Sequence, residues 1–110
     1  MLVDSNGERT CGGLSLLLYN EGTVCDDNFG MNLAHAICKS MGYPGAIAWK
    51  SVHRHGIQMW SIQEKYNIQL KLEHVVCPDN GTWSQCRVYN LDEFYCYHVE
   101  DVFLSCAGNI

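Results

Sequence analysis

The chain has 110 residues, 47% of them hydrophobic and 17% charged. That describes one globular domain over residues 1–110, too short for two cores and too apolar to stay disordered. A formal net charge of −5 excludes a nucleic-acid binder driven by phosphate contacts, which needs a basic face.

The seven cysteines are Cys11, Cys25, Cys38, Cys77, Cys86, Cys96 and Cys106. No two stand in the Cys-x-x-Cys spacing of zinc and redox sites, so they read as a disulfide framework formed in an oxidising, extracellular setting. No apolar run approaches the roughly 18 residues of a membrane span, so direct membrane insertion is not expected. The first residues lack the apolar core of a signal peptide. The expectation is a piece of a longer secreted or surface protein.

Residues 4–13 are polar and glycine-containing, and with the residues before them they form a flexible leading segment over 1–10 and a turn holding Cys11. Residues 14–19 (Leu-Ser-Leu-Leu-Leu-Tyr) predict a strand buried on at least one face. Asn20, Glu21 and Gly22 form a hairpin turn, and Thr23-Val24-Cys25 is the returning strand. Asp26-Asp27-Asn28 then turns the chain. Asn32 is placed to cap a helix over about 32–41, in which Ala34, Ile37, Cys38 and Met41 make one apolar stripe. Gly42 and Pro44 end it.

Residues 45–66 are the least regular part, with Trp49, Lys50, His53, Arg54, His55, Trp60 and Lys65 concentrated there. Residues 68–72 alternate as a strand with one apolar face. Cys77 to Cys86 encloses a turn in which Asn80-Gly81-Thr82 is an N-glycosylation sequon at Asn80. Cys86 to Cys96 reads as a loop, and residues 99–106 as a final strand. Strands around one main helix make the class α+β.

The run Gly22-Thr-Val-Cys-Asp-Asp27, followed by Ala34-His-Ala-Ile-Cys-Lys-Ser-Met-Gly-Tyr43, resembles the scavenger receptor cysteine-rich (SRCR) family. The family pattern there is Gly-Thr-Val-Cys-Asp-Asp, then Ala-x-x-Val-Cys-Arg-x-Leu-Gly. Leu72-Glu-His-Val-Val-Cys77 and Cys96-Tyr-His-Val-Glu-Asp-Val-Phe-Leu-Ser-Cys106 also resemble family motifs, and three cysteine intervals agree. The resemblance implies a small disulfide-stapled fold, a curved antiparallel sheet cradling one main helix. It implies the bridges Cys25–Cys96, Cys38–Cys106 and Cys77–Cys86. Cys11 is left unpaired, because the family position that would hold its partner is Tyr43. The segment between Tyr43 and Leu72 is longer than is usual in the family, and Val102-Phe103 replaces the usual Ala-Gly.

Asp26, Asp27 and Glu100 match the family's principal divalent-cation site. Carboxylates suit calcium or magnesium, which take hard oxygen ligands. Read from the residues alone, the same acids are a solvated turn, since acidic pairs on surfaces are common. A second family site near Leu72-Glu73-His74 is compromised, since His74 stands where an acid belongs. His53-Arg54-His55 reads either as a solvated loop or, with Lys50 and Trp60, as a contact for an anionic ligand.

Cysteines in bridges cannot act as nucleophiles, and no Ser/His/Asp motif appears, so an enzyme is not expected. The resemblance implies an extracellular, non-enzymatic module that binds a protein or polyanionic ligand through a calcium site. The alternative is a structural or docking unit of a multidomain protein, disulfide-linked to another chain through Cys11.

Overall fold

A computed structural model describes residues 1–10, 13–19, 22–26, 29–66, 68–70, 74–76, 85–89 and 97–107. Its strands are β1 (Leu2–Val3), β2 (Ser15–Tyr19), β3 (Gly22–Val24), β4 (Ala46–Ser51), β5 (Ile68–Leu70), β6 (His74–Val76), β7 (Arg87–Tyr89) and β8 (Val102–Cys106). Its helices are α1 (Met31–Ser40) and the short α2 (Val52–His55), with single 3-10 turns at Ser61–Lys65 and His98–Glu100. Six strands form the main sheet in the order β4-β8-β2-β3-β5, with β1 paired to β2, and β6 and β7 form a separate ribbon. Pairing is antiparallel except between β3 and β5, which run parallel with Gly22 opposite Ile68.

The central strand explains its own composition. Successive residues of a strand point to opposite faces. Leu17 packs with α1, alongside Leu2, Val24, Ala34, Ile37, Cys38 and Leu104. Leu16 and Leu18 point the other way, onto Val3, Ile62 and Phe103. A run of three leucines is therefore what a strand covered on both faces requires. The cover on the second face comes from Val52, Ile57, Trp60, Ile62 and Tyr66, all within the segment expected to be irregular. Trp60 stands edge-on to the fully buried Phe103, with ring centroids 4.8 Å apart. Phe103 stands where the resemblance expects a glycine, and the middle segment is what packs against it.

Helix α1 starts one residue earlier than expected. Gly30 is extended, with no side-chain cap, and its carbonyl accepts the first helical bond from Ala34 at 2.9 Å. Asn32 is thus an exposed first-turn residue rather than the cap. The far end follows the sequence. Gly42 takes φ +93°, and the amides of Gly42 and Tyr43 return to the carbonyls of Lys39 and Cys38 at 3.0 Å each. That double closure is the Schellman arrangement, which needs a residue free to adopt positive φ. Gly45 is required for a different reason: a Cβ there would lie 2.8 Å from His35 Nδ1, which accepts the Ala46 amide at 2.9 Å.

Other expectations are corrected. Residues 45–66 are ordered as β4, α2 and a 3-10 turn, because aromatic and aliphatic side chains spaced without a simple period dock separately on the sheet. The final strand begins at Val102 rather than 99, since residues 98–100 coil into a 3-10 turn. Strand β7 lies inside the expected Cys86–Cys96 loop, paired with β6.

Cys38 and Cys106 are disulfide-bonded, Cα to Cα 5.5 Å, tying α1 to β8 across a sequence separation of 68 residues. Closing so long a loop restricts the unfolded chain, by about 4 kcal/mol in the chain-entropy model. The double variant Cys38→Ala/Cys106→Ala is expected to lose about 3–5 kcal/mol of unfolding free energy in denaturant titrations.

Candidate functional site

The site is built where β3 ends. Cys25 pairs with Asp101 in an isolated antiparallel bridge just before β8. The next residue, Asp26, donates its backbone N–H to the Glu100 carbonyl at 2.9 Å. Two acids far apart in the chain are therefore neighbours through backbone register alone. Glu100 ends the 3-10 turn, and its Oε2 accepts the Tyr97 amide at 3.0 Å, which holds the carboxylate over its own turn.

The Asp26 side chain is 0% exposed. A buried carboxylate without compensation costs several kcal/mol. Helix α2 supplies the compensation: His53 Nδ1 lies 3.1 Å and Arg54 Nε 3.2 Å from Asp26 Oδ2. These are ion-pair distances, but neither Asp26 oxygen makes a hydrogen bond of good geometry. His53 Nδ1 also lies 3.3 Å from the Val99 carbonyl. Ligand atoms of Asp26, His53 and Glu100 all fall within 4.8 Å of one another.

Helix α2 is held by aromatic contacts that lead back to the same turn. His55 accepts the Ser51 amide at 3.0 Å and stands edge-on to Trp49, centroids 5.1 Å apart. Trp49 packs edge-on to Phe29, also at 5.1 Å. Phe29 donates its amide to the Asp26 carbonyl at 3.0 Å. Gly56, at φ +69°, ends α2.

Beneath the corner lies a second acid. Asp101 is fully buried, and its Oδ2 accepts from Gln63 Nε2 at 2.9 Å and pairs with His98 Nδ1 at 2.7 Å. Gln63, equally buried, also donates to the His98 carbonyl at 2.8 Å and accepts the Trp60 amide at 2.8 Å. One amide side chain thus pins the middle segment to the turn that carries Glu100. Sequence reasoning missed both residues, since a lone Gln in a polar stretch carries no burial signal.

Among the expected site residues, Asp26 and Glu100 are brought together, and Asp27 lies outside the described residues. His53 and Arg54, expected as a solvated loop or a separate ligand contact, belong to this corner. His55 and Trp60 are instead engaged in packing, on Trp49 and Phe103. Lys50 is half-buried on β4. Cys25 and Cys86 are in disulfides, and Cys96 and Cys77 lie outside the described residues, as do Cys11, Asn80 and Glu73. His74 lies on β6. Tyr97 and Val99 flank Glu100 with their side chains open to solvent, Tyr97 at 74% exposure.

The model for the scavenger receptor cysteine-rich domain matches residues 5–107. The chain belongs to the SRCR family. Lysyl oxidase homolog 2A of Danio rerio is 34% identical over 105 residues, covering 86% of this chain and 12% of that protein. Lysyl oxidase homolog 2 of Xenopus laevis is 33% identical over 89 residues, covering 78% and 10%. The chain thus spans about a tenth of the length of these relatives. The SRCR domain of mouse MARCO, solved in its dimeric form, matches with a TM-score of 0.55 and 25% identity, covering 94% of this chain and 97% of that one. The SRCR family and these relatives are extracellular, and so is this domain. Among the described residues, no helix is long and apolar enough to cross a membrane.

The two buried groups generate two predictions. Gln63→Ala is expected to cost about 1–3 kcal/mol, the penalty for stranding buried partners, measured by denaturant unfolding. For Asp101, burial pushes the carboxyl above its ordinary value of 3.8, and the Gln63, His98 and Thr23 side chains only partly oppose this. The folded state then holds the proton more tightly than the unfolded chain. This contribution to stability is full below the unfolded pKa and is lost as pH rises through the folded one. With chelator present, stability of the wild type relative to Asp101→Asn is expected to fall as pH rises from about 3.8 through the acidic range. A flat difference across that range contradicts it.

Proposed function

We propose that this SRCR domain is a non-catalytic recognition module within a larger extracellular protein. Its recognition face is the Asp26/Glu100 corner. A divalent cation, calcium or magnesium, held there by Asp26 and Glu100 with Asp27 carried over from the family motif, links the domain to an anionic group on a protein or polyanionic partner.

The observation that supports this reading is the Asp26 carboxylate. It is buried, both oxygens lack a hydrogen bond of good geometry, and the Glu100 carboxylate is its neighbour. Such a group fits an ion that takes oxygen ligands. Calcium takes about six to eight of these, more than the two described acids offer. Water, backbone carbonyls and an anion from the partner complete the shell. That incompleteness gives a domain of net charge −5 a means of holding an anion. The exposed Tyr97 and Val99 beside Glu100 add apolar contact area of the kind that anchors interfaces. The lysyl oxidase homologues are several times longer than this chain, which matches only about a tenth of each, so their oxidase chemistry is not ascribed to this domain.

The test is calorimetric titration with calcium, with thermal shift alongside. Wild type is expected to give heat and a raised Tm. Asp26→Asn and Glu100→Gln are each expected to lose most of both. No heat and no shift in the wild type overturns the cation reading.

A further inference from the structure

The corner already contains a cation, and it comes from the chain itself. Arg54 Nε lies 3.2 Å from Asp26 Oδ2, the oxygen that also faces His53. We propose that Arg54 is a tethered counter-cation that competes with the divalent ion for Asp26, so that loading the ion releases the Arg54 guanidinium to bind the partner's anionic group. The inference rests on the cation reading above and adds to it the way the site is regulated.

Geometry makes the two occupants exclusive. A calcium ion sits about 2.3–2.6 Å from a carboxylate oxygen. An ion on Oδ2 would face the guanidinium at close range, and two cations on one carboxylate oxygen repel each other. The alternative oxygen, Oδ1, is equally buried, on the same carboxylate. Nothing else described fixes Arg54 in place. Its side chain is 49% exposed, and it sits in a helix of only four residues, next to Gly56 in a left-handed conformation. The neighbouring His55, by contrast, is anchored to the Ser51 amide and to Trp49. Arg54 can therefore swing out without unseating α2.

The exchange removes the local negative charge. With Arg54 docked, the acids of the proposed site outweigh one guanidinium and the corner is acidic. A divalent ion offsets two of those acids and frees the guanidinium, so the corner no longer repels an anion. Arg54 then offers a planar fork suited to carboxylate, sulfate or phosphate groups. His53, on the same short helix, lies beside the same Asp26 oxygen. Cation binding thus prepares the anion site next to the ion as well as at it.

The test compares Arg54→Gln with wild type and with Lys65→Gln, which makes the same change in net charge at an exposed position on the 3-10 turn Ser61–Lys65. Calcium affinity is measured by calorimetry, and dextran sulfate binding with and without calcium. Arg54→Gln is expected to bind calcium about three- to tenfold more tightly than both others. Dextran sulfate is expected to bind wild type and Lys65→Gln in calcium only, and Arg54→Gln several-fold more weakly. Equal calcium affinity for Arg54→Gln and Lys65→Gln overturns the competition, even where wild type binds calcium well. Unreduced dextran sulfate binding by Arg54→Gln overturns the release. Calcium uptake by Arg54→Gln alone supports competition in its strongest form, and uptake by none of the three removes the cation site and this inference together. A measurement without substitution stands beside these: on calcium addition the Arg54 Nε–H resonance of wild type is expected to move toward that of a solvent-exposed arginine, and an unmoved resonance in a calcium-loaded sample contradicts the exchange.

Discussion

The arrangement depends on one pair of backbone positions, the bridge between Cys25 and Asp101. It is where β3 stops and β8 is about to begin, and the acids on either side of it inherit their places. Asp26 follows Cys25 and bonds to the Glu100 carbonyl, while Asp101 turns inward to Gln63 and His98. A one-residue slip at this point would exchange the faces to which these side chains point, since strand side chains alternate. The register is secured on both sides. Leu16 opposite Phe103 fixes β2 against β8, and the Cys38–Cys106 bond fixes the far end of β8 to the helix. The corner is accordingly built on a frame held rigid by strand pairing and the disulfide, with α2 and its side chains added from outside.

That rigidity needs apolar cover on both faces of the sheet. A small domain gains little from a single face, and each large side chain fully buried contributes only about 1.5–3 kcal/mol. Here Leu17, Val102 and Leu104 are buried against α1, while Leu16, Leu18 and Phe103 are buried under the middle segment. The same segment carries α2 to the Asp26 corner. Its length, which departs from the family pattern, serves packing and site together: Trp60 and Ile62 close the second face, and His53 and Arg54 reach the acid.

What was legible in the sequence is what local rules control. The β2 strand, the hairpin return, the stripe of Ala34, Ile37 and Cys38, and the stop at Gly42 all follow from periodicity and turn chemistry within a few residues. Asp26 and Glu100 were found through motif resemblance, because their approach is set by a bridge across 76 positions that no periodicity reveals. The docking of His53 and Arg54 on Asp26 was not found at all. A His-Arg-His cluster looks the same whether it is solvated or ion-paired, and its partner lies more than twenty residues upstream in another element. Asp101 and Gln63 were missed for the opposite reason. Polar residues in short turns are mostly exposed, and burial by tertiary contact leaves no trace in composition. The parallel pairing of β3 with β5 belongs with these, since a three-residue strand does not encode its direction.

The two buried acids beside the bridge differ in what neutralises them, and the difference separates structure from function. Asp101 is held by Gln63, which is fully buried, and by His98, whose side chain is 22% exposed. Removing or replacing those partners means dismantling the packing of the middle segment, so the Asp101 network is a fixture. Asp26 faces His53 and Arg54, whose side chains are 40% and 49% exposed. Those partners reach it from the solvent side, at ion-pair range and without good hydrogen-bond geometry. A carboxylate compensated from solvent by mobile charges holds them weakly, because water competes for the cation and screens the pair. The opening through which Arg54 reaches Asp26 is the route the proposed cation would take. The two acids are equally buried, so it is the exposure of its partners that makes the Asp26 corner, and not Asp101, the place for the proposed exchange.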